Sequence, residues 1–418
     1  MDVHRIVTEK MVFGGDCIAK IDGKTVFVPF TLPGETVDVA ITSEFRDYAR
    51  ARIVSVVTPS PDRIQPVCPL YGTCGGCTLQ HARSCCQTEI RSSILREAFS
   101  RAGIAVPCVS VVGGNAFGYR SRFQLHDGGL MRRESDAVVP VGHCAVAVPE
   151  VNEYFAGTPM ERRPKGRVHV FGSERLASPC CGAPKVIVAQ GDKKNACRQE
   201  GQGSRRWKTK KKAASLHGRY TGTVSVPGNH CTVRVGGKDL SFDVQGFFQS
   251  NLAVLEKSLP AITGGLSGHH ALDMYAGSGT FSAFLADRFD HVTLVEHNRD
   301  AVVYAEENLA GTSHESFGVS GDVWTRFHAE RCIQEHGPFD AALVDPPRSG
   351  MEPSVLRWLC ESKIPRINSL SCDCATHARD AAFLVRAGYR LERLYLLDFY
   401  PQTCHIESLA MFTSGGLH

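Results

Sequence analysis

Apolar and polar positions alternate in short bursts through the first 58 residues. Lys24-Thr-Val-Phe-Val28 follows Asp22-Gly23, and Thr36-Val-Asp-Val-Ala-Ile41 follows Leu32-Pro-Gly-Glu35. An Asp-Gly pair between alternating runs predicts a hairpin, and about five strands in this length predict a small barrel of the oligonucleotide-binding kind. Pro59, Pro61 and Pro66 mark its end. From Thr88 to Arg101, Ile90, Ile94, Leu95 and Ala98 recur at helical spacing. The pattern between about 105 and 245 is strand-like and broken. After about 250, apolar runs at 271–275, 292–295 and 340–344 alternate with helical stretches, the signature of a parallel, doubly wound sheet. The expected fold class is therefore α/β. It comprises a barrel over 1–58, a β-rich central domain over 59–245 and a Rossmann-like domain over 246–418, with helix 88–101 expected to pack on the last.

Composition narrows the picture. Of 418 residues, 43% are apolar and 22% charged, which excludes collagen, coiled coil and wholesale disorder. No apolar run approaches the ~20 residues of a membrane span, and Met1-Asp-Val-His-Arg5 carries charge where a signal peptide is apolar. A cytoplasmic protein with no membrane contact is expected. Seventeen cysteines, an odd number in a long chain, argue for metal or thiol chemistry in a reducing compartment, with some thiols simply buried. The net charge of +4 hides an asymmetry: residues 161–212 carry +11 and the remainder −7. A basic segment on an acidic chain points to a polyanion. Residues 158–215 are poor in aliphatics, so a partly disordered excursion is expected there. It contains Cys180-Cys181, Cys197 and Arg205-Arg-Trp207-Lys, where Trp207 could stack on a base.

Five motifs carry chemistry. Ala271-Leu-Asp-Met-Tyr-Ala-Gly277-Ser-Gly279-Thr280 runs a strand into a glycine turn and a helix, and Glu296 ends the next apolar run. That arrangement suits an adenosine-containing ligand, and the absent third glycine favours S-adenosylmethionine over NAD. Asp345-Pro-Pro-Arg348 ends a buried strand with a carboxylate. Ser371-Cys372-Asp373-Cys374 places a thiol at a helix start with Arg379 close by, the condition for a nucleophilic thiolate. His405 and Glu407 lie two apart in a strand-like run, so either could be a general base; by ordinary pKa His405 ranks first. Cys68, Cys74 and Cys77 converge on a glycine-rich loop, as in a zinc or iron–sulfur site. Cys85, Cys86, Cys108 and Cys144 are candidates for a fourth ligand.

With Gly246-Phe-Phe-Gln249-Ser-Asn251 added, the ordered motifs resemble those of the RNA uracil-5-methyltransferases, in particular the iron–sulfur branch acting on bacterial 23S ribosomal RNA. The resemblance covers nearly the whole chain. It implies that the barrel is an RNA-binding TRAM domain, and that Cys68, Cys74, Cys77 and Cys144 hold a 4Fe-4S cluster in preference to zinc. It implies Cys372 as nucleophile and Glu407, not His405, as base. Gln249, Tyr275, Gly277, Thr280, Glu296 and Asp345 would line the S-adenosylmethionine and uracil pocket, with Asp322 on the adenine side. The expected product is 5-methyluridine in 23S rRNA, made by a monomer. Such a transferase must flip its base out of the stack. The family usually reads Ser-Cys-Asn-Pro at the nucleophile. Here Asp373 is expected to raise the thiol's pKa, and Cys374 to offer an oxidation partner. A non-catalytic RNA-binding relic and a transfer RNA enzyme are the alternatives. The transfer RNA branch usually lacks the barrel and cysteine loop, which points to ribosomal RNA.

Overall fold

A computed structural model describes residues 2–177, 185–190 and 229–415. Val3–Val7, Lys10–Met11, Asp16–Ile21, Lys24–Pro29, Thr36–Glu44 and Tyr48–Thr58 form one six-stranded sheet, whose core includes Ile6, Val26, Val28, Val37 and Val39. Asp22 (φ 49°) and Gly23 (φ 81°) supply the two positive φ values of the expected tight turn. Three register shifts between Thr36–Glu44 and Tyr48–Thr58 bend that long pair.

The first helix is Ser84–Arg101, beginning four residues before the apolar stripe. Its buried face includes Gln87 and Arg91 beside Ile94, Leu95 and Phe99, so its N-terminal half buries polar side chains that hydrophobic periodicity does not register. Ile94, Leu95 and Phe99 share a core with Cys374 and Ala378 of the C-terminal region. The following strand, Val109–Val112, joins the C-terminal sheet in parallel with Tyr389–Leu397.

In the central region Arg122–His126, Arg167–Gly172 and Val186–Gln190 form a three-stranded sheet packed on helix Pro149–Gly157. Two of these strands fall inside the stretch expected to be an excursion. Val168, Val170 and Phe171 are buried, and their apolar run is what makes a strand there. Cys180, Cys181, Cys197, Arg205 and Trp207 lie outside the described residues.

The C-terminal sheet has eight strands in the order His314–Phe317, Phe289–Val295, Gly268–Met274, Ala341–Val344, Arg366–Ser371, Glu407–Ser414, Tyr389–Leu397 and Val109–Val112. The expected parallel sheet is interrupted at Glu407–Ser414, which runs antiparallel to both neighbours. Successive strand residues feed opposite faces: Leu272, Met274, Ala342 and Val344 join one core, Ala271, Ala341 and Leu343 the other. That is the burial expected of a sheet covered by helices on both sides. Among the described residues, no helix is long and apolar enough to cross a membrane.

Candidate active site

Sheet register assembles the candidate residues. Val295, Met274 and Val344 lie side by side in the parallel ladder, so Glu296, Tyr275 and Asp345 emerge together at its carboxyl edge. Ser371 pairs with Ser408 in the antiparallel ladder, which sets Cys372 against Glu407 one step beyond. Glu407 pairs on its other side with Leu397 and is 5% exposed, whereas Cys372 is half-buried. Burial, then the charges of Glu407 and Asp345, push the Cys372 thiol up to about 11; Arg348, hydrogen-bonded to it, pulls the other way. Burial and Asp345 hold the Glu407 carboxyl well above the usual carboxylate range. Burial and Glu296 push Asp345 up to about 7. His405 does not share a strand with Glu407, because the strand starts at Glu407; the imidazole is exposed, edge-on to Tyr400 at 5.7 Å.

Asp373 has a different task from the one expected. Its carboxylate caps helix Cys374–Arg386, accepting from the Ala375 and Thr376 amides at 3.0 Å each. The carboxylates that raise the Cys372 pKa are Glu407 and Asp345, while Asp373 raises that of Cys374. Cys374 occupies the first helical position with 2% exposure, packed in the core. The same helix fixes the loop after Asp345. Thr376 Oγ1 donates to the Arg348 carbonyl (3.1 Å), Arg379 to the Ser349 carbonyl (3.0 Å), and the Met351 amide to Asp380 (2.8 Å).

On the other side of the cleft, Gly277 has φ +57° with open space where a Cβ would stand, and its amide donates to Glu296 at 3.0 Å. Gly279 (φ +72°) lies against Ala305, where a Cβ would meet the alanine methyl at 2.9 Å. Thr280 begins the next helix, its hydroxyl 3.4 Å from that of Ser278. Gln249 Oε1 and Asp273 Oδ1 are buried with no protein partner. A buried oxygen without a partner is costly unless a ligand satisfies it. Burial pushes Asp273 up to about 7, although Ser282 donates to its other oxygen at 2.5 Å. Tyr275 adopts φ +66°, and its hydroxyl accepts from the Glu352 amide at 3.1 Å. Asp322 lies in the first turn of helix Gly321–Phe327, beside the same residue: its amide donates to Glu352 Oε2 at 3.2 Å and its carboxylate pairs with Arg326. Sequence reasoning missed Glu352, an acid just before the N1 proline of helix Pro353–Ser362, and Arg348 as the partner of Cys372.

A cavity of about 370 Å³ lies in the central region. Cys68, Cys74, Cys77 and Cys144 all line it, with Arg120, Tyr71 and Gln80. All four thiols are half-buried. Burial pushes Cys77 up to about 11 and raises Cys74 and Cys144, while the Arg120 guanidinium lowers all three. The Gly76 amide donates to Cys74 Sγ at 3.4 Å. Of the four candidates for a fourth ligand, only Cys144 lines this cavity: Cys85 and Cys108 are exposed, and Asp62 is the neighbour of Cys86.

Residues 229–414 match the model of the tRNA (Uracil-5-)-methyltransferase family, and residues 6–54 match the TRAM domain. An uncharacterized RNA methyltransferase of Treponema denticola is 33% identical over 99% of this chain and 99% of its own length. The 23S rRNA (uracil(1939)-C(5))-methyltransferase RlmD of Shewanella amazonensis is also 33% identical, over 95% of this chain and 93% of its own. The chain belongs to the RNA uracil-5-methyltransferase family. It is an S-adenosylmethionine-dependent enzyme with RNA as its substrate. The fold is shared with Pyrococcus abyssi tRNA (uracil-54, C5)-methyltransferase, solved with S-adenosyl-L-homocysteine. That match has a TM-score of 0.70 at 23% identity, covering 98% of this chain and 100% of that one. A transfer RNA enzyme that matches the chain end to end removes overall architecture as the feature separating the two RNA classes. In this methyltransferase Gln249 and Asp273 each keep one buried oxygen without a protein partner, and Cys372 stands opposite Glu407 one step beyond the Ser371–Ser408 pair.

Proposed function

We propose that the enzyme methylates carbon 5 of a uridine in 23S rRNA through a covalent bond between Cys372 and carbon 6 of the base. The observation that carries this reading is the ladder step that opposes Cys372 to Glu407 beside Asp345. The relatives named as 23S rRNA (uracil(1939)-C(5))-methyltransferases, 30–33% identical over nearly the whole chain, support the choice of RNA.

Carbon 5 of uracil is too weak a nucleophile to take a methyl group unaided. Cys372 thiolate adds to carbon 6, and the displaced electron pair makes an enolate with density on carbon 5. S-adenosylmethionine, when bound, supplies the electrophilic methyl. Gln249, Tyr275, Gly277, Thr280, Glu296 and Asp322 would hold it, and the unpartnered Gln249 oxygen and the open glycine fit such a ligand. After transfer, carbon 5 carries both methyl and hydrogen. Glu407 carboxylate takes that proton, the carbon–hydrogen pair restores the double bond, and the thiolate leaves carbon 6. Arg348 stabilises the thiolate at both ends of the cycle.

The central cavity suits a 4Fe-4S cluster. Four half-buried thiols surround about 370 Å³, with Arg120 to offset thiolate charge. Cys68, Cys74, Cys77 and Cys144 would hold the group, which when bound supplies a rigid four-point staple; methyl transfer itself consumes no electron. Anaerobically isolated protein should absorb broadly in the visible and bleach on reduction. A colourless protein with one zinc would overturn this part.

Transfer RNA is the second reading, favoured by the end-to-end fold match with a transfer RNA enzyme. One assay separates the two. Tritium release from carbon-5-labelled uridine is measured in 23S rRNA and transfer RNA transcripts, with wild type and Cys372→Ala. Donor-dependent release from 23S rRNA, abolished in the variant, is expected. Release from transfer RNA alone would replace the ribosomal substrate, and undiminished release by Cys372→Ala would remove the nucleophile.

A further inference from the structure

Leu397 and Glu407 pair directly in the sheet, so residues 398–406 form a loop over the Cys372–Glu407 edge. Tyr400 belongs to its inner wall: burial, Glu407, Cys372 and Asp345 all act on its hydroxyl. Free, a nine-residue loop of this kind would be mobile, but this one is tied along its length. Asp398 is clamped by both ends of the Arg91 guanidinium, at 2.7 and 2.8 Å. The Phe399 carbonyl accepts from Asn251 and the Pro401 carbonyl from the Tyr119 hydroxyl (2.8 Å).

The densest anchoring is at Gln402, and it comes from the residues directly after Cys77. The Thr78 and Leu79 amides both donate to the Gln402 carbonyl at 3.0 Å, and Thr78 Oγ1 accepts from the Cys404 amide at 2.9 Å. Gln87 adds two further ties: its Oε1 accepts from the Gln402 amide (2.9 Å), and its Nε2 donates to the Gln402 side-chain oxygen (3.0 Å) as well as to the Leu79 carbonyl. Gln402 is 2% exposed and sits at φ +69°, a conformation disfavoured for any residue with a Cβ. Gly15 of the barrel backs the same loop, where a Cβ would stand 2.9 Å from Cys404 Cβ.

We propose that Gln402 is a positioning residue through which the cysteine loop holds the wall of the uracil pocket, so that ordering of Cys68–Cys77 by its bound group sets the catalytic geometry. This rests on the reading of Cys372 and Glu407 as the reacting pair and of the four thiols as a cluster site. The cysteine loop thus acts on turnover, whereas a loop that only docked RNA would act on substrate affinity.

The test compares loaded wild type with Gln402→Gly, which accepts the backbone conformation but lacks the amide, Gln402→Asn, which restores an amide, and Cys77→Ser. Amide hydrogen exchange at Thr78, Leu79, Gln402 and Cys404 is read beside visible absorbance, kcat and the KM for RNA. Gln402→Gly should keep its absorbance and KM, exchange faster at these amides and lose about ten- to a hundredfold in kcat, with partial recovery in Gln402→Asn. Cys77→Ser should lose the absorbance and show the same fast exchange and low kcat. Unchanged exchange in Cys77→Ser, or a raised KM at constant kcat, would overturn the proposal. Glu407→Gln in loaded protein is the control: full turnover there would remove the base assignment, while the exchange data would still decide the coupling.

Discussion

Cys372 rests in an environment that opposes its ionisation, since burial, then Glu407 and Asp345, outweigh the opposing Arg348. With the thiol pushed up to about 11, thiolate is scarce at neutral pH. Adduct formation in a single turnover should therefore rise about tenfold per pH unit between pH 7 and 9. Rapid-quench trapping checks this, and a flat profile would mean that RNA binding itself ionises the thiol. Arg348→Gln should slow the step about tenfold or more at pH 7.5, with Arg348→Lys closer to wild type. Glu407→Gln should add to uracil but fail to eliminate, lowering kcat by roughly a hundredfold to ten-thousandfold while covalent complex accumulates on a denaturing gel. Asp373→Asn should leave the reactivity of Cys372 unchanged because it keeps the helix cap, whereas Asp373→Ala should cost about 1 kcal/mol of stability in urea unfolding.

Between elements, the decisive ties join stretches far apart in sequence. Arg91 is 1% exposed and Asp398 8%, so Arg91→Ala would leave a buried carboxylate uncompensated. Urea unfolding should show a loss of about 3–5 kcal/mol, and the double replacement Arg91→Met with Asp398→Asn much less. Neither this pair nor the Gln402 ties were legible in the chain, because polar residues facing inward leave no hydrophobic period. The strands at 271–275, 292–295 and 340–344 were legible as continuous apolar runs. So was the convergence of chemistry at strand ends, since Glu296 and Asp345 each close such a run and Cys372 precedes a helix. Three cysteines on one loop were legible from spacing, but the choice of Cys144 needed three-dimensional proximity. The opposition of Cys372 to Glu407 depends on an antiparallel register that local pattern does not encode. Asp373 was legible as a charge, but its carboxylate is spent on capping the helix that follows.

Across the whole molecule, burial pushes His81, His169, His291 and His377 down to about 4. Each stays neutral in the fold while the unfolded side chain takes up a proton near 6.5, so stability is lost as pH falls from about 6.5 to 4. Asp273 and Asp345, pushed up to about 7, and Glu407, also held well above the usual carboxylate range, act in the opposite sense: the fold takes up their protons first, and stability is gained from about pH 7 down to 4. The two sets are of similar size and opposite sign, so the melting temperature should move by less than about 5 °C between pH 7 and 5. Asp273→Asn, without one offsetting carboxyl, should drop relative to wild type on acidification; a rise relative to wild type would contradict this balance. The C-terminal sheet brings the proposed nucleophile, base and cofactor edge together, and covalent catalysis at Cys372 is the claim on which the account turns. Its most direct test is an RNA carrying 5-fluorouridine at the target, mixed with enzyme and S-adenosylmethionine and digested for mass spectrometry. Fluorine cannot leave as a proton, so elimination is blocked. The account predicts a peptide joined through Cys372 to a methylated fluorouracil. Methylated product with no adduct, or an adduct on Cys374 or Cys404, would contradict it.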